Sequence, residues 1–465
     1  MADGAGLSMR LCVARVWVTK GMIMQDWLWM TAADLGRGIG AGTIDPAALT
    51  ETYLDAIDAH PMRDRIYARV TNDRARAEAK AAAARAKAGL RRGPLDGVPI
   101  SWKDLFDTAG VGTEAGTKLL EGRVPDTDAV VLQNATAAGL VCLGKTHMSE
   151  IAFSGLGLNP VMGTPPNKND PDAVPGGSSS GAAASVAFGL AAGAIGSDTG
   201  GSVRIPAAWN DLVGLKTTHG LLTLEGVVPL CLTFDTIGPL TRSVEDANLL
   251  LSAMQGAKAA DLQELSMAGV RLLVLDTIAS EDVRDKPDAA FAAAVQKLKN
   301  AGATIEHAIF PDLHQAFADA GNLYGADSYG YWRDLVEANP DVMFPQILER
   351  VRGGASVAAV DYVAGWHRLH AMRKAYAELT VGYDAVIMPT APILPPNVKR
   401  LMEDDAYYKT ENLLGLRNTR IGNMLGLCGL TLPTDTASCG ILFNGPPNGE
   451  AALLRLCAAA ETVLS

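Results

Sequence analysis

The apolar residues of this chain fall into runs too short to be helices that bury a face. Val98–Trp102, Leu140–Leu143, Ala194–Ser197, Val270–Leu275 and Ala385–Met388 are such runs, each bounded by Gly, Pro or a charged residue. Segments of helical pattern lie between them. Thr31 to Asp34 fits a capping box, and Asp45-Pro46 sets an N-cap before a proline at the first helical position of a helix through Ala56. Residues 72–90 repeat Arg, Lys, Glu and Ala as a solvated helix face, and residues 128–138 and the Ala-rich 180–190 also fit helices. Strands that are apolar throughout are covered on both faces, so their alternation with helices predicts an α/β fold with a largely buried sheet. A length of 465 residues would allow two or three domains, but no repeat and no linker divides residues 24–465.

Composition excludes several function classes. A formal net charge of −11 argues against a nucleic-acid groove or an anionic membrane as the main partner. No run of about 18 apolar residues suggests a membrane span. The six cysteines, at positions 12, 142, 231, 428, 439 and 457, form no CxxC pair, and the seven histidines form no HExxH motif. That spacing supports neither zinc nor a disulfide framework, and it fits reduced, mostly buried thiols in a cytoplasmic protein. In residues 1–23 a weakly apolar stretch is interrupted by Arg10, Arg15 and Lys20, which rules out the unbroken core of a signal peptide. This segment is expected to be an N-terminal extension, non-native or disordered, with Met24 as a candidate first residue.

Chemistry concentrates in a Gly- and Ser-rich stretch. Gly176-Gly177-Ser178-Ser179-Ser180-Gly181 is followed by Ser197-Asp198-Thr199-Gly200-Gly201-Ser202-Val203-Arg204. A Gly-Gly pair before a serine leaves backbone N–H groups bare, as an oxyanion hole requires, and a serine nucleophile needs a base beside it. Lys103, at the end of the run 98–102, can serve as that base only if burial lowers its pKa; paired with Asp104 or Asp107 at the surface it would be inert. Residues 155–177, rich in Gly, Pro and Asn, predict a long functional loop.

Two familiar motifs fail on context. Gly139–Thr146 matches the GxxxxGK[ST] phosphate loop, but a helix precedes Gly139 and the intervening residues are apolar and strand-like, so a nucleotide-binding protein is disfavoured. Gly177–Gly181 matches the GxSxG elbow of α/β-hydrolases, yet no strand leads into it, and His307, His314, His367 and His370 carry no supporting signal. Tyr324, Tyr329, Tyr331, Trp332 and Trp366 are candidate pocket residues, although aromatics at such spacing more often belong to a core.

Taken together, Gly93–Ile100 with Trp102-Lys103-Asp104, Gly144–Glu150, Asn159–Asn167, Gly176–Gly181, Gly196–Pro206, Phe234–Pro239 and Met388-Pro389-Thr390 resemble the amidase signature family over most of residues 24–465. The resemblance implies a single large α/β domain around a central mixed, twisted β-sheet flanked by helices. It further implies a Ser–cis-Ser–Lys triad: Ser202 as the acyl-forming nucleophile, Ser178 as the cis-serine and Lys103 as the base. Backbone N–H groups of Thr199, Gly200 and Gly201 would form the oxyanion hole. Ser179, Asp198 and Arg204 are expected to support the loop, the last two as an ion pair; the competing role for Arg204 is to hold a substrate carboxylate. His147 stands where many members have Asn, and Trp209-Asn210-Asp211 where many have Phe-Cys-Gly.

The expected function is hydrolysis of a small linear carboxamide to carboxylate and ammonia or amine, with no metal or organic cofactor; a homodimer stays open. The alternative within the family is the glutaminase component of a tRNA-dependent amidotransferase, its A subunit. Residues 391–396, however, show no clear match to the glutamine-binding region of that component.

Overall fold

The computed structural model describes residues 24–262 and 266–464; the extension expected at residues 1–23 lies outside the described residues. Eleven strands form one sheet: β1 (Tyr67–Val70), β2 (Pro99–Lys103), β3 (Val141–Thr146), β4 (Ala194–Ser197), β5 (Val213–Lys216), β6 (Ile237–Thr241), β7 (Arg271–Leu275), β8 (Thr304–Ala308), β9 (Ala385–Pro389), β10 (Cys428–Pro433) and β11 (Gly440–Gly445). Their order is β1-β3-β2-β4-β6-β5-β10-β11-β9-β7-β8. The pairs β2/β3, β2/β4, β7/β8 and β7/β9 are parallel and the others antiparallel, so the sheet is mixed. Every residue of β2, β3, β4, β5, β6, β9 and β11 is buried, the physical reason these segments do not alternate in polarity.

The expected helix starts are present. Thr31 Oγ1 accepts from the Asp34 N–H at 3.0 Å, and Asp45 Oδ1 accepts from the N–H groups of Ala47 and Ala48. The helix Asn72–Lys87 buries only alanines (Ala75, Ala79, Ala82 and Ala83). Residues 155–177 contain no helix or strand.

One expected strand has different bounds. The short strand at 140–143 runs on to Thr146, because Lys145 is buried with partners: its Nζ donates to Thr113 Oγ1 at 2.8 Å and lies 3.3 Å from Asp104 Oδ1. Strand β6, Ile-Gly-Pro-Leu-Thr, carries a glycine and a proline yet lies inside the sheet. Pro239 pairs with Ile195 of β4, while the β5 pairing reaches only Thr241 and Leu240. The Gly144-Lys145-Thr146 letters thus belong to a buried strand.

Candidate active site

Strands β2 and β4 run side by side and parallel, with Ser101 opposite Ala194 and Trp102 opposite Ile195. Their carboxyl ends therefore deliver Lys103 and Ser197 to one place, the position where ligands commonly bind in sheets of this class. Lys103 is fully buried, and its Nζ donates to Ser178 Oγ at 2.6 Å and to Ser197 Oγ at 2.9 Å. Burial pushes its pKa down to about 7, against the pull of the Asp198 and Asp235 charges. The inert surface pairing with Asp104 or Asp107 is excluded by this geometry.

Ser178 precedes the helix Ser180–Ala187, and the Gly177–Ser178 peptide is cis. Ser202 lies on the turn between β4 and the helix Arg204–Trp209. Ser179 joins the two segments: its N–H donates to Ser202 O at 3.2 Å and its Oγ to Ser197 O at 3.2 Å. No hydrogen bond links the Ser178 and Ser202 hydroxyls themselves; Ser202, Thr199 and Gly200 face a cavity of about 1060 Å³.

Asp198 and Arg204 are both fully buried and form a bidentate pair, Nε to Oδ2 at 3.0 Å and Nη2 to Oδ1 at 2.9 Å. Burial alone would raise the Asp198 pKa, but the Arg204 guanidinium holds it well below the usual carboxylate range. Asn423 closes the cluster, accepting from Arg204 Nη2 at 2.6 Å and donating to Asp198 Oδ1 at 2.9 Å. Arg204 is fully buried and is not among the residues that line the cavity, which favours the bracing role over a substrate contact.

The oxyanion-hole expectation needs one correction. The Gly201 N–H donates to Asp198 Oδ1 at 2.8 Å, so it belongs to the brace and is not a free donor. Gly201 has φ 139°, and a Cβ there would meet Thr419 Oγ1 at 2.1 Å, so only glycine fits. The amides of Thr199 and Gly200 make no hydrogen bond with the described residues and sit at the cavity wall.

Several site residues were not legible from local motifs. Ser197 shares the Lys103 ammonium. Thr419 donates to Gly200 O at 2.8 Å, and Tyr324 OH donates to Thr199 O at 3.0 Å, pinning the loop from two distant helices. Thr199 Oγ1 donates to Asp235 Oδ1 at 2.5 Å, and burial raises the Asp235 pKa to about 6. Of the five aromatic candidates, Tyr324 lines the cavity, Trp332 is core, and Trp366 stacks on Phe234, which also stacks on Tyr324. Tyr329 is half-buried and Tyr331 exposed, and neither lines the cavity. His147 is buried, with Nε2 3.1 Å from Asp64 O and its pKa pushed down to about 4 by burial. Asn210 donates to Pro175 O and Pro206 O, and Trp209 to Ile393 O, so that departure from the family pattern ties the long loop to the helix Arg204–Trp209. Among the described residues no group of three or more His, Cys, Asp or Glu side chains could hold a metal ion, and no helix is long and apolar enough to cross a membrane.

The family described as Amidase is matched over residues 48–454. A 2-amino-5-chloromuconic acid deaminase of Comamonas testosteroni is 34% identical over 453 residues, 94% of this chain and 97% of that one. The A subunit of the glutamyl-tRNA(Gln) amidotransferase of Anaeromyxobacter sp. (strain K) is 31% identical over 474 residues, covering 93% and 95%. The solved structure of the peptide amidase of Stenotrophomonas maltophilia superimposes with a TM-score of 0.80 at 27% identity, covering 94% of this chain and 97% of that one.

Proposed function

Because the chain belongs to the amidase family of amide hydrolases, we propose that it hydrolyses a small linear carboxamide through an acyl-Ser202 intermediate. The observation that carries this reading is the buried Lys103 ammonium, 2.6 Å from Ser178 Oγ, with a pKa of about 7. A lysine in that state is neutral for much of the time at neutral pH, and a neutral amine is a base. Lys103 takes the Ser178 proton as Ser178 takes that of Ser202, and Ser202 Oγ attacks the amide carbon. The Ser178–Ser202 contact closes when substrate fills the cavity, since catalytic hydrogen bonds often tighten only in the complex. The oxyanion is held by the free N–H groups of Thr199 and Gly200. Ser178 returns a proton to the departing nitrogen, and water attacks the acyl-enzyme by the same relay in reverse.

The enzyme is read as cytoplasmic, which suits the five buried, unpaired thiols of the described residues. The amidotransferase relative makes a partner-dependent glutaminase the rival within the family. Ammonia release from a panel of amides, with and without glutamine, tests both. The stand-alone reading expects turnover by the isolated chain and its loss, by roughly three orders of magnitude or more, in Ser202→Ala. Full activity of Ser202→Ala on every amide cleaved would contradict the mechanism. Glutaminase activity that appears only with partner proteins would favour the rival.

A further inference from the structure

The cavity that Ser202, Thr199 and Gly200 face is also lined by two arginines, Arg350 and Arg420, from the helices Pro345–Arg352 and Asp405–Met424. Their environment is unlike that of Arg204, which is matched to a carboxylate. Neither Arg350 nor Arg420 forms an ion pair with any described residue. Arg350 donates one hydrogen bond, from Nη1 to Phe153 O at 3.0 Å, and lies over the Phe153 ring at 4.4 Å. Arg420 packs 5.8 Å from the Phe317 ring centroid and makes no hydrogen bond with the described residues. Its Nη2 is sealed from solvent without an acceptor. Burial depresses both, and the Arg420 charge lowers the Arg350 pKa further, to about 10. Two cations held together against their own repulsion, with unfilled donors, are arranged for an anion.

The neighbouring charges do not fill that role. Glu281 and Asp282 lie on the same cavity wall as Arg417 and offset its charge, and His314 is 3.4 Å from Glu281. Asp361 lines the cavity as an exposed residue. Arg420 is also fixed relative to the reacting atoms. It follows Thr419, whose hydroxyl holds Gly200 O, and a Cβ built on Gly200 would lie 4.0 Å from Arg420 Nε.

We propose that Arg350 and Arg420 form an anion subsite, and that the substrate is a short amide carrying a carboxylate a few atoms from the carbonyl that Ser202 attacks. A planar guanidinium matches a carboxylate through paired N–H donors, so the subsite would fix the chain's orientation as well as its charge. This assignment rests on the amide-hydrolysis reading for the word substrate, but the anion site can be tested without turnover.

Calorimetric titration of the full chain carrying Ser202→Ala compares succinamate with succinamide, its neutral diamide of equal length, and glutaramate with glutaramide. The expected result is binding of the carboxylates about 100-fold tighter than of the diamides. Arg420→Gln should abolish most of that preference and Arg420→Lys should retain part of it. Equal binding of acid and diamide, no binding of either acid, or a preference that survives in the Arg350→Gln/Arg420→Gln double variant would overturn the proposal. The two-ligand comparison on one protein needs no assumption about how the arginine variants fold. A wild-type chain that shows the carboxylate preference but releases no ammonia from any amide would refute the hydrolytic reading and leave the anion subsite standing.

Discussion

At the scale of single residues, the proposed mechanism makes Lys103 the group that should set the pH behaviour. Its conjugate acid blocks the relay, so kcat/KM should rise with pH through about 7 and then level off. Lys103→Ala should remove that limb and cost roughly 100- to 10,000-fold, as loss of a general base does. Equal activity of wild type and variant at every pH would exclude Lys103 as the base. The same burial has a thermodynamic consequence of opposite sign to a salt bridge. Between pH 7 and about 10.5 the unfolded lysine binds a proton that the folded one does not, so the wild-type protein gains stability as pH rises through that window. Lys103→Met, which fills the site without a charge, should therefore melt above wild type at pH 7, with the gap narrowing toward pH 10. A variant that melts lower at pH 7 would show that the neutral amine's contacts with Ser178 and Ser197 outweigh its desolvation. Lys103, Ser178 and Ser202 were legible as candidates because Trp102-Lys103-Asp104 and the two Gly-Ser runs are local patterns. Arg350 and Arg420 were not, since their significance lies in the carboxylates that fail to approach them, and no local sequence records that.

At the scale of elements, the turn from β4 into the helix Arg204–Trp209 is held by the Asp198–Arg204–Asn423 cluster. Asp198 receives the Gly201, Val203 and Arg204 N–H groups on its two oxygens, so one side chain replaces the helix-start partners that the backbone lacks. Truncating Arg204 to Ala leaves a buried, uncompensated carboxylate and should lower stability by about 3–5 kcal/mol in denaturant titration. kcat should fall with it, because the loop that presents Thr199 and Gly200 loses its anchor. A rise in KM with stability unchanged would instead make Arg204 a substrate-contacting residue. The ion pair was foreseeable from the −4 and +2 spacing about Ser202, whereas Asn423 was not, because it arrives from a helix 225 positions beyond Asp198. Strands β5, β6, β10 and β11 escaped notice for a related reason. They carry glycines and prolines where strands press together: a Cβ on Gly238 would fall 1.8 Å from Leu215 O. Their place in the sheet is set by packing partners and not by propensity.

At the scale of the whole molecule, a mixed sheet of eleven strands is used at one point, where the parallel β2 and β4 end together. The sheet places Lys103 and the turn that carries Ser202, and helices within residues 313–424 supply part of the cavity wall in front of them. The α/β class was readable from short apolar runs alone, while the mixed strand order depends on long-range pairings that periodicity does not encode. Division of labour between a buried relay and a helical wall predicts that changes at the wall alter which amide is cleaved without altering the intermediate. The proposed hydrolysis turns on acylation of Ser202. Rapid quenching during turnover of a cleaved amide, followed by mass spectrometry of the digested chain, reads this directly. An adduct of the acyl group's mass is expected on the peptide containing Ser202, absent from Ser202→Ala. Turnover with the acyl group on Ser178 instead, or undiminished turnover in Ser202→Ala, would contradict it.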